Sequence, residues 1–203
     1  METKNPFIVP NGPGSPYAGV DSAAGTEVEK ARYYAVSLLK LVALSVSTAG
    51  FDTFYWMYRQ WKALRDSNAV RSRSTPILKG IFPIFFFHDL FAKIRTHVTE
   101  AGLSSRAASS ALATLAVILI VGGNVLAKQE EPLFCIFLVP YTLLVLPLAI
   151  AQSEINSYTR AVDQSAQLDS RFSVGTVLVI VLGLLMWAAT ALMVLFPAPP
   201  EVP

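Results

Sequence analysis

The chain has 203 residues, of which 53% are hydrophobic and 15% charged, with a net charge of +2. Soluble domains carry about 25% charged residues, so this composition argues against an ordinary soluble domain, and so small a net charge gives no basis for a nucleic-acid partner. One cysteine, Cys135, excludes an intramolecular disulfide and a cysteine-based metal cluster.

Residues 1–30 are polar and rich in Pro and Gly, and are expected to form a flexible tail. They contain no basic n-region followed by an apolar h-region, so no secretory signal is expected. A first span is predicted over 35–58, with Tyr33 and Tyr34 at its interface. Lys40 is placed to snorkel from one end and Asp52 to reach the interface at the other. The helix leaves the bilayer through Phe54, Tyr55, Trp56, Tyr58 and Trp61. Phe54, Tyr58 and Trp61 fall on one face, and Tyr55 and Arg59 are spaced for a cation–π contact. A solvated basic turn follows, with Lys62, Arg65, Arg71 and Arg73.

The run from Pro76 to Phe91 holds Phe82, Phe85, Phe86, Phe87 and Phe91. It is too short for a comfortable crossing and is interrupted by Lys79, Pro83, His88 and Asp89. The segment 77–95 is therefore predicted to be re-entrant or interfacial, kinked at Pro83. Asp89 and Lys93 have the favourable i,i+4 order. Lys79, Phe86, Asp89 and Lys93 share an arc that can face water. Further spans are expected over 107–127, 133–151 (interrupted by Pro140 and Pro147) and 174–196. A polar loop covers 152–172 and a Pro-rich tail 197–203.

The expected fold is thus an all-α membrane protein with four transmembrane helices, forming one domain over 31–196, plus one Phe-rich re-entrant helix. Of the sixteen basic residues, eleven fall in 59–106 and 152–172, four (Lys4, Lys30, Arg32, Lys128) on the other side, and Lys40 in a span. The positive-inside rule then makes the basic loops cytoplasmic and both termini external.

Three stretches resemble a family of uncharacterised bacterial multi-pass inner-membrane proteins. They are the aromatic exit Tyr55-Trp56-Met57-Tyr58-Arg59-Gln60-Trp61-Lys62, the run Gly80–Phe87 leading to Leu90-Phe91-Ala92-Lys93-Ile94, and Asn156-Ser157-Tyr158 with Ser170-Arg171-Phe172-Ser173. The resemblance spans roughly 45–180 and implies an inner-membrane location, but no activity.

No metal-ligand, nucleophile or phosphate-loop motif is present, and His88 and His97 fall on opposite faces of a continuous helix. No enzymatic activity and no cofactor are expected. The leading expectation is a structural or accessory subunit of a larger bacterial membrane complex. Lipids or other membrane subunits would bind through Phe54, Tyr55, Trp56, Tyr58, Arg59, Trp61, Lys62, Phe82, Phe85, Phe86, His88 and Asp89. The alternative is a small oligomeric transporter or channel using Lys40, Asp52, Asn124 and the kinked third span.

Overall fold

The computed structural model describes residues 31–69, 75–105, 110–128 and 138–196. The expected tails 1–30 and 197–203, and Cys135, lie outside them. The described residues are all-helical, without strands: α1 (Leu38–Ser47), α2 (Asp52–Asp66), α3 (Pro76–Ile81), α4 (Pro83–Glu100), α5 (Ser110–Leu126), α6 (Leu138–Leu143), α7 (Val145–Val162) and α8 (Val174–Leu195).

The expected first span is not one helix. Ser37 caps α1, accepting from the Lys40 N–H at 3.3 Å. The helix stops where Ala49 (φ 49°) and Gly50 (φ 79°) enter the left-handed region. Gly50 is needed twice over: its φ suits glycine, and a Cβ there would strike the Tyr141 carbonyl. The turn is fastened by Ser45 Oγ donating to Asp52 Oδ2 (2.9 Å) and by the Asp52 N–H donating to Thr48 Oγ1 (3.2 Å). Beyond it the chain doubles back. Tyr34 and Gln60, 26 residues apart, are joined by two hydrogen bonds of 3.1 and 3.0 Å, whereas a continuous helix would hold them about 39 Å apart. The α1–α2 pair is a helical hairpin.

Pro83 sets the break between α3 and α4 at Phe82 and becomes the first residue of α4, because its ring and missing N–H cannot continue α3. Gly80 lets α3 lie directly on α2; a Cβ there would come within 2.9 Å of Tyr58 Cβ. Helix α4 buries Phe87, Leu90, Phe91, Ile94 and Val98, the stripe of an amphipathic helix. Helix α5 buries Ala113, Ala116 and Gly123, small residues that admit close neighbours, together with Ile120.

The chain breaks again at Leu144, since Pro147 has no N–H to offer the Leu143 carbonyl. From there α7 runs on to Val162. The expected loop 152–172 is therefore helical over its first half, with Gln152, Glu154, Ile155, Asn156 and Tyr158 buried. Its polar residues point inward because the core contains a polar segment to receive them.

That segment is the extended stretch 31–37. Val36 pairs with Asp169 in an isolated parallel bridge, through the Ser37 N–H to the Asp169 carbonyl (3.2 Å) and the Asp169 N–H to the Ala35 carbonyl (2.9 Å). The Arg32 N–H donates to Ser67 Oγ at 3.0 Å. One end of the domain thus gathers residues 31–37, the end of α2, the end of α7 and the start of α8. The opposite end gathers the α1–α2 turn, Gly123 and Tyr141. The expectation that the chain enters opposite the 152–172 loop is corrected: residues 31–37 and 163–173 share one end.

Two helical stretches are long and apolar enough to cross a membrane, Leu138–Val162 and Val174–Leu195; α1 and α5 are apolar but shorter. Four spans do not emerge among the described residues, because the first expected span has folded into the hairpin; α5 is described over 17 residues. Helix α8 buries only Gly183, which touches the Ser47 carbonyl region of α1; Trp187 Nε1 donates to the Val46 carbonyl at 2.8 Å.

Candidate functional site

Helix α2 has two faces. Thr53, Trp56, Met57, Gln60, Trp61 and Leu64 are buried, at the i, i+3, i+4, i+7, i+8 spacing of a core-facing stripe. Phe54, Tyr55, Lys62 and Arg65 are exposed, and Tyr58 and Arg59 half-buried. Trp56 (1% exposed) and Trp61 (2%) are therefore core anchors, which corrects their expected place on a docking surface. The expected Phe54–Tyr58–Trp61 face runs from surface to core because α3 covers it at Gly80. Arg59 does contact Tyr55, donating from Nη1 to its hydroxyl at 2.6 Å, and its guanidinium also lies 4.0 Å from the Tyr34 ring centre.

In the Phe-rich segment, Phe82 and Phe85 are exposed and Phe86 is half-buried, 6.3 Å from Trp61 between ring centres. His88 Nε2 and Thr114 Oγ1 are 3.1 Å apart, and Asp89 pairs with Lys93 at 3.4 Å. His97 faces a different partner: Tyr33 Oη lies 2.7 Å from its Nδ1. Burial pushes the His97 imidazole below its usual range; Glu100 opposes this and Lys93 adds to it. Lys79 is turned largely inward, 3% exposed, with its ammonium 3.4 Å from the Trp61 ring centre.

Sequence reasoning missed the polar cluster that seats residues 31–37. Gln60 grips the Tyr34 backbone as a neighbouring strand would: Oε1 accepts from its N–H, and Nε2 donates to its carbonyl. Gln152 Oε1 accepts from Trp56 Nε1 (2.7 Å) and Gln60 Nε2 (3.1 Å). Its Nε2 donates to the Tyr34 carbonyl (3.1 Å) and Asn156 Oδ1 (2.9 Å). Asn156 Nδ2 donates to the Val36 carbonyl at 2.9 Å. The amides thus satisfy one another and the strap between them. The signal for this was the i,i+4 spacing of Trp56 with Gln60 and of Gln152 with Asn156, which puts polar groups on one helix face.

Lys40 does not snorkel. It donates to Asp169 Oδ1 and to the Arg171 carbonyl, both at 2.8 Å, and Tyr34 Oη donates to Asp169 Oδ2 at 3.0 Å. Burial alone would raise the Asp169 carboxyl, but these hydrogen bonds hold it below its usual range. Asp52 keeps one oxygen on Ser45; its Oδ1 is sealed from solvent without a partner. Asn124 bonds back to the Ile120 carbonyl of its own helix.

No protein-family model matches the chain, and no curated protein or solved structure is similar to it.

Proposed function

We propose that this chain is a membrane-embedded structural or accessory subunit of a bacterial inner-membrane complex, held to lipids and neighbouring subunits by its outer apolar surface. The observation that carries this reading is α8: 22 residues, no charge, and Gly183 as its only buried residue. A helix apolar all round needs lipid or another apolar surface about it. The polar cluster supports a structural role, because Gln60, Gln152 and Asn156 bond to the chain itself and offer nothing to a substrate.

In this reading α5, α6–α7 and α8 cross, and the α1–α2 hairpin enters and leaves at one side. That side carries residues 31–37, Arg65, Arg160 and Arg171, and the positive-inside rule makes it cytoplasmic; Lys128 follows α5 at the other side. The surface left for partners is Phe54, Tyr55, Lys62, Phe82 and Phe85.

The test is alkaline carbonate extraction of membranes from expressing cells, followed by co-purification in mild detergent. The chain should stay in the membrane pellet and bring a defined partner with it; release into the supernatant contradicts the reading. A small oligomeric transporter has one observation in its favour, the unpartnered Asp52 oxygen. Loss of a transport activity in Asp52→Asn, with assembly intact, would establish it instead.

A further inference from the structure

Lys79 is the one cation among the described residues that is buried without a carboxylate. Lys40, the other buried lysine, has Asp169. The nearby acid, Asp89, is paired with Lys93, and among the described residues the Lys79 ammonium has no ion pair or oxygen acceptor. It rests instead on Trp61 at 3.4 Å and near Phe86 at 5.4 Å from the ring centres. A cation–π contact satisfies part of such a charge, but three N–H donors remain unmade. Burial pushes the Lys79 ammonium below its usual range, with Asp89 opposing and Lys93 reinforcing the shift.

A second orphan lies at the same place. Trp61 Nε1 is a buried donor with no acceptor. Among the described residues, the side-chain atoms sealed from solvent without partners are Asp52 Oδ1, Thr53 Oγ1, Trp61 Nε1 and Thr142 Oγ1. Lys79 Nζ is not one of them, so the small surface that Lys79 keeps, 3% of the residue, includes its tip. Trp61 Nε1, being sealed, stays within the fold, and the charged tip of Lys79 is the donor that an anion can reach.

The outward face of α3 and the start of α4 are apolar and uncovered. Ile77, Leu78, Ile81, Phe82 and Phe85 are all exposed, Phe85 to 75%. A cationic tip on a short helix whose outward face is apolar matches an amphiphile with an anionic head and hydrocarbon chains. A soluble anion would gain nothing from the flank, and an acidic peptide would leave it in water.

We propose that Lys79, backed by Trp61, binds the phosphate of an anionic membrane lipid, whose acyl chains lie along Ile77, Leu78, Ile81, Phe82 and Phe85. This rests on the membrane reading above and names the lipid class that reading leaves open. In that reading the site lies against Trp61 in the second half of α2, at the headgroup level of the cytoplasmic leaflet. Lys79 supplies charge, the indole keeps the ammonium from wandering, and the flank excludes water from the chains.

The test uses the full chain in nanodiscs of phosphatidylcholine mixed with phosphatidylglycerol, followed by mass spectrometry of the lipid retained after gentle detergent release. The native chain should retain phosphatidylglycerol over phosphatidylcholine. Lys79→Gln should lower that preference about five-fold, the worth of one lysine against an anionic lipid. Lys79→Arg should keep it, and Arg95→Gln, an exposed cation on α4, should leave it unchanged. Glycerophosphate, a head without chains, should not displace the lipid; displacement at equal concentration would assign the site to a soluble phosphate and overturn the proposal. Equal retention of both lipids by the native chain would also overturn it, even if Lys79→Gln fails to fold. Equal retention by a chain that stays in the carbonate pellet removes the lipid site alone, whereas release by carbonate removes the membrane reading with it.

Discussion

Replacing Gln152 by alanine is the sharpest perturbation of the polar seat. Gln152 is fully buried and takes part in four hydrogen bonds. The substitution leaves Trp56 Nε1 with no acceptor and Asn156 Oδ1 without its donor, while the Tyr34 carbonyl keeps Gln60. A buried group stripped of its partner costs about 1–3 kcal/mol. Side-chain hydrogen bonds within membrane proteins fall near 0.6 kcal/mol on average, because the unfolded chain also finds partners. A total of about 2–4 kcal/mol follows, a large part of the roughly 5–15 kcal/mol of a typical domain. The assay is denaturant unfolding in mild detergent, followed by far-ultraviolet circular dichroism. Trp56→Phe removes the orphaned donor in advance, so Gln152→Ala should cost about 1 kcal/mol less in that background. A loss under about 0.5 kcal/mol for the single variant, or strict additivity in the double, would refute the role given to this amide.

Gly183→Leu should push α8 off α1, since a Cβ there meets the Ser47 backbone, whereas Gly122→Leu has open space around it and should be neutral; unfolding of both variants compares the two. The folded Asp169 carboxyl lies below its usual value of about 3.9. Its stabilisation is complete above that pH and is lost as pH falls through the folded value, so Asp169→Asn should flatten the acid limb of a stability–pH curve. His97 is likewise lowered, from a usual value of about 6.5, chiefly by burial. Its neutral ring, facing Tyr33 and Tyr158 with Glu100 and Lys93 near, stabilises the fold above that pH and loses effect as pH falls below it. His97→Gln should remove the part of the decline that begins near pH 6.5, leaving the carboxylate part.

Some of this architecture was legible in the residues. The apolar run from residue 174 matches α8 within a residue, Pro83 breaks the Phe-rich segment as expected, and Tyr55 meets Arg59. The hairpin was not legible, because an apolar stretch that turns back within a domain has the same composition as one that crosses it. Only Gly50 beside Asp52 hinted at a turn. The two tryptophans misled for a related reason: a ring at a membrane interface and a ring in a core follow the same helical period. Gln152 and Asn156 read as solvent-facing because their partners, the backbone of Tyr34 and Val36, lie more than a hundred residues away in sequence.

The central claim is a membrane-embedded domain in which residues 31–37 and the loop 163–173 lie on the same side. In a Cys135→Ser background, single cysteines at Arg32, Ser165 and Lys128, all exposed at their native positions apart from their membrane surroundings, can be probed with a membrane-impermeant maleimide. In spheroplasts, Lys128→Cys should label, while Arg32→Cys and Ser165→Cys should stay protected; in inverted vesicles the pattern should reverse. Labelling of Arg32→Cys and Ser165→Cys from opposite sides would contradict the hairpin topology, and labelling of all three from both sides would contradict the membrane reading itself.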